Sequence, residues 1–197
     1  MRSTRLFLLT LLLVGAVSVV PAAAVPITYV HTGFGSGNLD GVEFGALAPV
    51  AFTITAVGDT DDVAACGAGC LENYNTSASI SIAGLGTFDF LDVTHFFENL
   101  GVVGFSRGAG DLFDGPALSG WDMASSIGPI SGTASLLQWD NAPVITTGGV
   151  LSFNDGLTPS TFTATVGPPV PEPATLLLLG GGLAATGLKR RLKRRVG

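Results

Sequence analysis

Two histidines, His31 and His95, are the side chains of this 197-residue sequence best suited to general-base chemistry. A hydrolytic triad requires a histidine beside a nucleophile, but His95 precedes Phe96 and Phe97, which favours a partly buried or strand-edge position. Paired carboxylates would suit glycoside hydrolysis, yet so acidic a chain brings some acids together by chance. The sequence therefore predicts that the protein is not an enzyme, with a secreted hydrolase as the weaker alternative.

The chain has two cysteines, Cys66 and Cys70, separated by Gly67-Ala68-Gly69. An even number of cysteines favours a disulfide in any oxidising compartment, and the two glycines allow so tight a loop to close. A redox-active pair is less favoured because no nearby base lowers a thiol pKa. A zinc site is less favoured still, since neither histidine has ligand spacing to the cysteines.

Acidic residues gather in two places that would suit Ca²⁺, which binds six to eight oxygen atoms. These are Asp59, Asp61 and Asp62 with Glu72 nearby, and Asp111 and Asp114 before the turn residue Gly115. Neither group matches a twelve-residue calcium loop, and acidic turn residues commonly cap backbone amides. The sequence predicts no cofactor, with calcium as the open alternative.

Two tryptophans, Trp121 and Trp139, each precede an acid, Asp122 and Asp140. An aromatic face can stack on a sugar ring while the neighbouring carboxylate accepts hydrogen bonds from sugar hydroxyls. More often, a tryptophan in a β domain belongs to the core. A lectin-like carbohydrate-binding module is therefore an alternative function, and it would require at least one exposed tryptophan.

The elements that would position these residues are strands. In residues 50–56, large apolar side chains alternate with Thr, as in a strand with one buried face. The same period recurs in residues 78–83, 87–90, 130–136 and 161–166, and residues 148–156 add a strand closed by an Asn-Asp-Gly turn. Glycine-rich punctuation between them predicts an all-β domain, a single β-sandwich or jelly-roll-like body. A short helix in residues 92–100 or 121–126 would be compatible with this class.

The N-terminus has the pattern of a signal peptide. Arg2 and Arg5 precede the uncharged apolar residues 6–20, and Pro21 is followed by Ala22 and Ala24 of an Ala-x-Ala cleavage site. We therefore expect residues 1–24 to be removed by signal peptidase, cutting before Val25. An N-terminal transmembrane anchor is the rival interpretation.

The C-terminus combines three features in a fixed order. Pro171, Glu172 and Pro173 break any preceding helix, and residues 174–188 carry no charge. The basic cluster within residues 189–195 then follows, formed by Lys189, Arg190, Arg191, Lys193, Arg194 and Arg195. This order predicts a transmembrane helix with a cytoplasmic stop signal. A helix over residues 174–188 would be about 22 Å long, short of a bilayer core of about 30 Å, so the anchor is marginal.

This ordered tail, residues 170–195, resembles the PEP-CTERM protein-sorting domain. The resemblance implies recognition by an exosortase, an integral-membrane cysteine protease or transpeptidase of Gram-negative bacteria that make exopolysaccharide and biofilm. It also implies a membrane-anchored precursor that is cut near the Pro-Glu-Pro triplet and moves to the cell surface or matrix. Residues 25–169 more loosely resemble the β-rich bodies that often precede this tail, which implies no activity.

Residues 25–169, the body of the chain, contain fourteen acids and one base, Arg107, and so carry a formal charge of −13. Nucleic-acid binding needs a basic surface and is therefore excluded. Anionic polysaccharide would be repelled unless divalent cations bridged the two.

These observations predict an exported surface or matrix protein with a structural or binding role in the envelope, exopolysaccharide or biofilm. Its expected partners are signal peptidase and exosortase during export, the membrane before processing, and exopolysaccharide afterwards. A lectin-like module and an ice-binding-like module are the alternatives. The second would need a flat, regular sheet face bearing threonines, for which the sequence offers only scattered Thr-x-Thr pairs.

Overall fold

The computed structural model describes residues 24–108 and 110–169. Its strands are β1 (Pro26–Gly35), β2 (Gly37–Leu39), β3 (Val42–Phe44), β4 (Val50–Asp59), β5 (Ala64–Gly67), β6 (Cys70–Tyr74), β7 (Ser77–Ile82), β8 (Gly86–Asp89), β9 (Thr94–Asn99), β10 (Val102–Arg107), β11 (Gly110–Ala117), β12 (Ile127–Leu136), β13 (Val144–Thr146), β14 (Gly149–Phe153) and β15 (Gly156–Val166). A 3₁₀ turn, Thr60–Asp62, is the one helical element in this part of the chain. The predicted all-β class is confirmed.

Several predicted features lie outside the described residues. They are residues 1–23 of the predicted signal peptide, which include Ala22, together with the sorting triplet, the apolar segment 174–188 and the basic cluster in 189–195. Ala24, the other alanine of the predicted cleavage site, is the first residue described. In the described ranges, no helix has the length and apolar character needed to cross a membrane. Val25–Pro169 form one compact unit.

The strands form two antiparallel sheets. The larger, curled sheet has the order β5-β6-β9-β10-β11-β12-β15-β1-β4-β7-β8, and the smaller has the order β13-β14-β2-β3. The chain passes from β1 in the large sheet to β2 in the small one across the single residue Ser36. A β-bridge between Phe90, which follows the edge strand β8 of the large sheet, and Thr146 of β13 also joins the two sheets. The chain also crosses between the sheets from β3 to β4, from β12 to β13 and from β14 to β15, so the two sheets share one interior.

The inner faces of the sheets pack into a single aromatic-rich core. The ring of Phe153 on β14 lies 4.7 Å from that of Phe52 on β4 and 5.0 Å from that of Trp139, between ring centroids. Phe96 and Phe162 extend the same core between the strands of the large sheet, 5.8 Å apart. Each such buried side chain contributes about 1.5–3 kcal/mol of hydrophobic stabilisation. This two-layered packing agrees with the predicted sandwich.

Alternating side chains explain why these segments form strands. The predicted strands at 50–56, 78–83, 87–90, 130–136, 148–156 and 161–166 correspond to β4, β7, β8, β12, β14 and β15. In β15, for example, Phe162 and Ala164 are buried while Thr161 and Thr163 point outward. Because side chains alternate between sheet faces, a Thr-x-Thr pattern places its hydroxyls on one face.

Two local expectations differ from the structure. The Asn-Asp-Gly segment 154–156 joins β14 to β15, which lie in different sheets, so it crosses between layers and does not close a hairpin. Residues 94–99, within the stretch considered for a helix, form β9. Phe96 and its neighbours are buried on both faces of this central strand, which hides the alternating pattern typical of a half-exposed strand. No helix forms at residues 121–126, which form bends and irregular chain.

Candidate functional site

The predicted disulfide is present between Cys66 and Cys70, whose Cα atoms are 5.2 Å apart. It joins the ends of β5 and β6 at one edge of the large sheet. Gly69 has φ +73°, a left-handed conformation that glycine adopts without steric cost, so the loop can turn back within five residues. The bond therefore fixes the shape of an edge hairpin.

Neither tryptophan is available for sugar stacking: the core position favoured by the sequence is confirmed, and the stacking alternative is wrong for these two residues. Trp121 is 5% exposed and Trp139 is fully buried. Their indole Nε1 atoms donate to the Ser125 carbonyl at 2.9 Å and the Leu112 carbonyl at 2.7 Å, which satisfies the one polar atom of each ring inside the fold. Both belong to the core because a buried tryptophan fills the large volume between the sheets.

The acids beside the tryptophans do not form sugar-binding partners with them. Asp122 caps a turn, and the hydrogen bonds from the Ser125 hydroxyl and the Ala124 backbone lower the pKa of its carboxyl. Asp140 is exposed at the surface while Trp139 points inward.

The two histidines occupy separate environments. His31 lies inside the core, where burial lowers its pKa to about 3, against a weak opposing effect of the Gly115 backbone. His95 lies on the opposite face of the large sheet, where its Nε2 atom is 3.8 Å from Glu72 Oε2. Burial also lowers the pKa of His95, and the charges of Glu72 and Asp111 oppose that shift. The imidazole of His31 lies against the rings of Phe96, Phe113 and Phe162.

Strand pairing brings Tyr74, His95, Ser106 and Asp111 into one row across β6, β9, β10 and β11. Together with Glu72 these residues form what we call the outer cluster. The Ser106 hydroxyl donates to Asp111 Oδ1 at 3.1 Å, and the ring of Tyr74, which is 48% exposed, lies 4.9 Å from that of His95. Histidine, serine and acid thus meet in space although they lie on three different strands.

A β-bulge explains why two acids join the same face. Phe105 pairs with Phe113 while Ser106 pairs with Asp111, so Leu112 is an extra residue in β11. Leu112 and Phe113 both point into the core, and consequently Asp111 and Asp114 both point outward. Burial, with a further contribution from the Asp111 charge, raises the pKa of Asp114 to about 6.

The outer cluster lacks the geometry of a hydrolytic triad. Ser106 donates its proton to Asp111 and makes no hydrogen bond with His95, whose Nδ1 is buried without a partner. A nucleophile activated by a histidine base requires a hydrogen bond between the two. The arrangement is therefore a hydrogen-bonded polar row with one exposed aromatic edge, Tyr74.

The two predicted calcium-binding groups are used differently in the fold. Asp59 Oδ1 accepts hydrogen bonds from the backbone N–H groups of Asp61 at 3.0 Å and Val25 at 3.3 Å, capping the 3₁₀ turn. Glu72 pairs with His95 instead of joining these aspartates. Within residues 24–108 and 110–169, no three His, Cys, Asp or Glu side chains are grouped so as to hold a metal ion.

A regular array of side chains lies on the outward face of four adjacent strands in the large sheet, β15, β1, β4 and β7. Three successive outward positions on each strand line up with those on its neighbours, and so form three rows across the sheet. In one of these rows, Thr161 of β15 pairs with Thr32 of β1, Thr32 pairs with Thr53 of β4, and Thr53 pairs with Ser81 of β7. The set, which we call the hydroxyl face, comprises Thr161, Thr163, Thr165, Thr28, Val30, Thr32, Thr53, Thr55, Val57, Ser77, Ser79 and Ser81.

No position of the hydroxyl face carries a charge, although the body around it is strongly acidic. Sheet geometry spaces the rows about 4.8 Å apart across strands and about 6.8 Å apart along them. Thr32 Oγ1 donates to the Thr161 carbonyl, and the Thr161 and Ser131 hydroxyls are within hydrogen-bond distance of each other at 3.2 Å. Thr53 and Thr55 are half-buried positions on the outward face of β4.

Sequence reasoning identified the Thr-x-Thr pairs but not the face they form. Each pair predicts two hydroxyls on one side of its own strand. Which strands are neighbours, and in which register, depends on long-range pairing: β1 lies between β4 and β15, the latter more than a hundred residues away in sequence. The signal was present in the repeated pattern, and its alignment required the tertiary structure.

Comparison with protein families matches residues 169–194 to the PEP-CTERM protein-sorting motif. No curated protein and no solved structure gave a match. Fold and motif together define an exported, cell-surface-directed protein with an all-β body. The chain carries the PEP-CTERM motif and is thus a substrate for sorting by an exosortase.

Proposed function

We propose that this protein is a non-enzymatic component of the cell surface or extracellular matrix that binds neutral polysaccharide through the hydroxyl face. The observation that supports it is an uncharged array of Thr and Ser side chains on a body with a formal charge of −13. The sorting motif supports delivery of the protein to the cell surface. Signal peptidase and exosortase act as its processing partners.

The chemistry of the hydroxyl face suits a polyhydroxylated chain. Each Thr or Ser hydroxyl both donates and accepts a hydrogen bond, as sugar hydroxyls do, while the Thr and Val methyl groups pack against the apolar faces of sugar rings. One such hydrogen bond contributes only about 0.5–1.5 kcal/mol, so affinity would come from repetition along an extended ligand. The negative body disfavours anionic polysaccharide.

The outer cluster offers a weaker, lectin-like variant of the same function. Tyr74 presents a half-exposed ring that could stack on one sugar, with the Glu72 and Asp111 carboxylates in the same cluster as acceptors. Tyr74 thus takes the place of the buried tryptophans as the candidate aromatic side chain for sugar stacking. A Tyr74→Ala variant distinguishes this contribution from that of the hydroxyl face.

Ice binding is the second candidate function, and the regularity of the hydroxyl face favours it. A grid of methyl and hydroxyl groups at fixed sheet spacing can hold water in an ordered layer, which an irregular loop surface cannot do. Under this alternative the methyl groups matter as much as the hydroxyls. Replacing Thr55 by Val, which keeps the shape and the methyl groups, should preserve ice binding and weaken glycan binding.

The test is binding of the processed protein to insoluble neutral glucans, cellulose and cross-linked dextran, with their carboxymethyl derivatives as charged equivalents. We expect retention on neutral beads, with affinity reduced at least tenfold by Thr55→Lys or Thr163→Lys, which flank Val30 on adjacent strands. Ser119→Lys, which adds the same charge at an exposed site after β11, is the matched control.

Three outcomes would decide against glycan binding through the hydroxyl face. Equal binding by wild type and Thr55→Lys would place the ligand elsewhere, and loss in Tyr74→Ala alone would assign it to the outer cluster. Incorporation of the protein into slowly growing ice, abolished by Thr55→Lys and retained by Thr55→Val, with no binding to either glucan, would favour the ice-binding alternative.

A further inference from the structure

The first and last strands of the body, β1 and β15, are paired side by side, so the two ends of the body lie next to each other. Ile27 of β1 lies opposite Val166 of β15, and the Gly167 N–H donates to the Pro26 carbonyl at 2.8 Å. The predicted signal-peptidase site before Val25 therefore adjoins ordered, hydrogen-bonded structure.

Val25 is held through both of its backbone polar atoms. Its N–H donates to Asp59 Oδ1 at 3.3 Å, and its carbonyl accepts from the Thr60 N–H at 3.0 Å. The pairing of Pro26 with Asp59 at the end of β1 and β4 places the carboxylate beside this nitrogen. The Asp59 carbonyl in turn accepts from Asn73 Nδ2 at 2.9 Å, which ties the site to β6.

We propose that the Asp59 carboxylate is a binding site for the α-ammonium group that signal peptidase creates at Val25. Hydrolysis of the Ala24–Val25 bond adds one water: its oxygen goes to the Ala24 carbonyl and the peptide nitrogen becomes an amine. The resulting products at neutral pH are the Ala24 carboxylate and the Val25 ammonium. A neutral N–H donor is thus replaced, at the same position, by a positively charged group with three donors.

The surrounding charges favour this ion pair. Asp61 and Asp62 lie in the turn that Asp59 caps, and all three are acids. The body has one cationic side chain, Arg107, whose Nε already donates to Asp92 at 3.0 Å. The new ammonium would therefore be a counter-ion at a cluster that otherwise contains negative charge only. Cleavage would stabilise the folded body in addition to releasing it.

Chemical labelling can test the site because residues 25–169 contain no lysine. In protein recovered without its tail, an amine reagent modifies only the α-amino group; if the tail is retained, peptide mapping separates Val25 from Lys189 and Lys193. The rate of labelling against pH gives the pKa of the amine. We expect it to lie about one unit above the ordinary value of about 8 in wild type, and at the ordinary value in Asp59→Asn.

Asp62→Asn is the matched control, because it removes one neighbouring charge and leaves the contacting carboxylate in place. Its amine pKa should stay close to that of wild type. If Asp59→Asn fails to fold, the wild-type protein alone still tests the proposed ion pair. Acetylation of its α-amino group removes the positive charge and should therefore lower the unfolding temperature. That difference should shrink as pH rises through the raised pKa, where the amine becomes neutral.

Three results would overturn the proposal. They are an N-terminal residue other than Val25, an amine pKa equal in wild type and Asp59→Asn, and an unfolding temperature unchanged by acetylation. None of these measurements involves polysaccharide, so the proposal stands or falls independently of the glycan function.

Discussion

The ring of His31 lies against the ring of Phe113 with their centroids 4.0 Å apart, inside the apolar core. Neither nitrogen of His31 makes a hydrogen bond of good geometry. A buried charge without a partner is strongly unfavourable, so the fold requires the neutral imidazole. Burial accordingly lowers the pKa of His31 to about 3.

Acid should therefore destabilise the protein through His31. A base whose pKa is lower in the folded state contributes its full stability above the unfolded pKa, about 6.5, and loses it as pH falls towards the folded value. The expected loss of unfolding free energy is at most about 1.4 kcal/mol per pH unit in that window. Urea unfolding between about pH 7 and pH 4 should show a shallower decline for His31→Leu than for wild type. Parallel declines would contradict this.

Asp114 should have the opposite pH dependence. Its pKa is raised to about 6, so the folded state favours the protonated form and loses stability as pH rises through that value. Asp114→Asn keeps the shape and removes the charge. Above pH 7 the substitution should raise the unfolding free energy by about 1 kcal/mol, a value that allows for the partial solvent exposure of the carboxyl. Near pH 4 it should change the unfolding free energy little. A variant less stable than wild type at both pH values would show that the carboxylate is structurally required.

Trp139 should matter for stability and not for ligand binding. Because it is fully buried and packs 5.0 Å from Phe153, Trp139→Ala should cost about 3–5 kcal/mol of unfolding free energy. Trp139→Phe should cost less, because the Leu112 carbonyl loses the indole donor but still accepts from the Leu137 N–H at 3.1 Å. Chemical denaturation measures both, and the Phe variant should bind neutral glucan as wild type does. Lost binding in a folded Phe variant would reopen the sugar-stacking role.

The fold class followed from the sequence because most strands have one buried face. Alternation of Phe or Ile with Thr in segments such as β4 and β15 is a local property, and it identified them. β9 lacked that signal because neighbours cover both of its faces. The partners of each strand depend on the whole chain, and local pattern contains little information about them.

The candidate sites were predictable only in part. Cys66 and Cys70 are close in sequence, so their pairing could be predicted directly. Asp111 and Asp114, an odd number of residues apart, would occupy opposite faces of a regular strand, and the extra residue Leu112 returns them to one face. A bulge of this kind has no clear sequence signature here. The tryptophans were ambiguous because their type suits both a core and a sugar platform.

The side-by-side ends of the body also determine how it would respond to mechanical load. A force applied between Val25 and Gly167 would load β1 and β15 in the unzipping geometry, in which the hydrogen bonds between the strands break one after another rather than all together. Such a geometry resists force poorly. A form held at both termini would be vulnerable to tension, whereas a form attached at one end, or at neither, transmits no force across this strand pair. Removal of either terminal segment would thus protect the body in a surface exposed to shear.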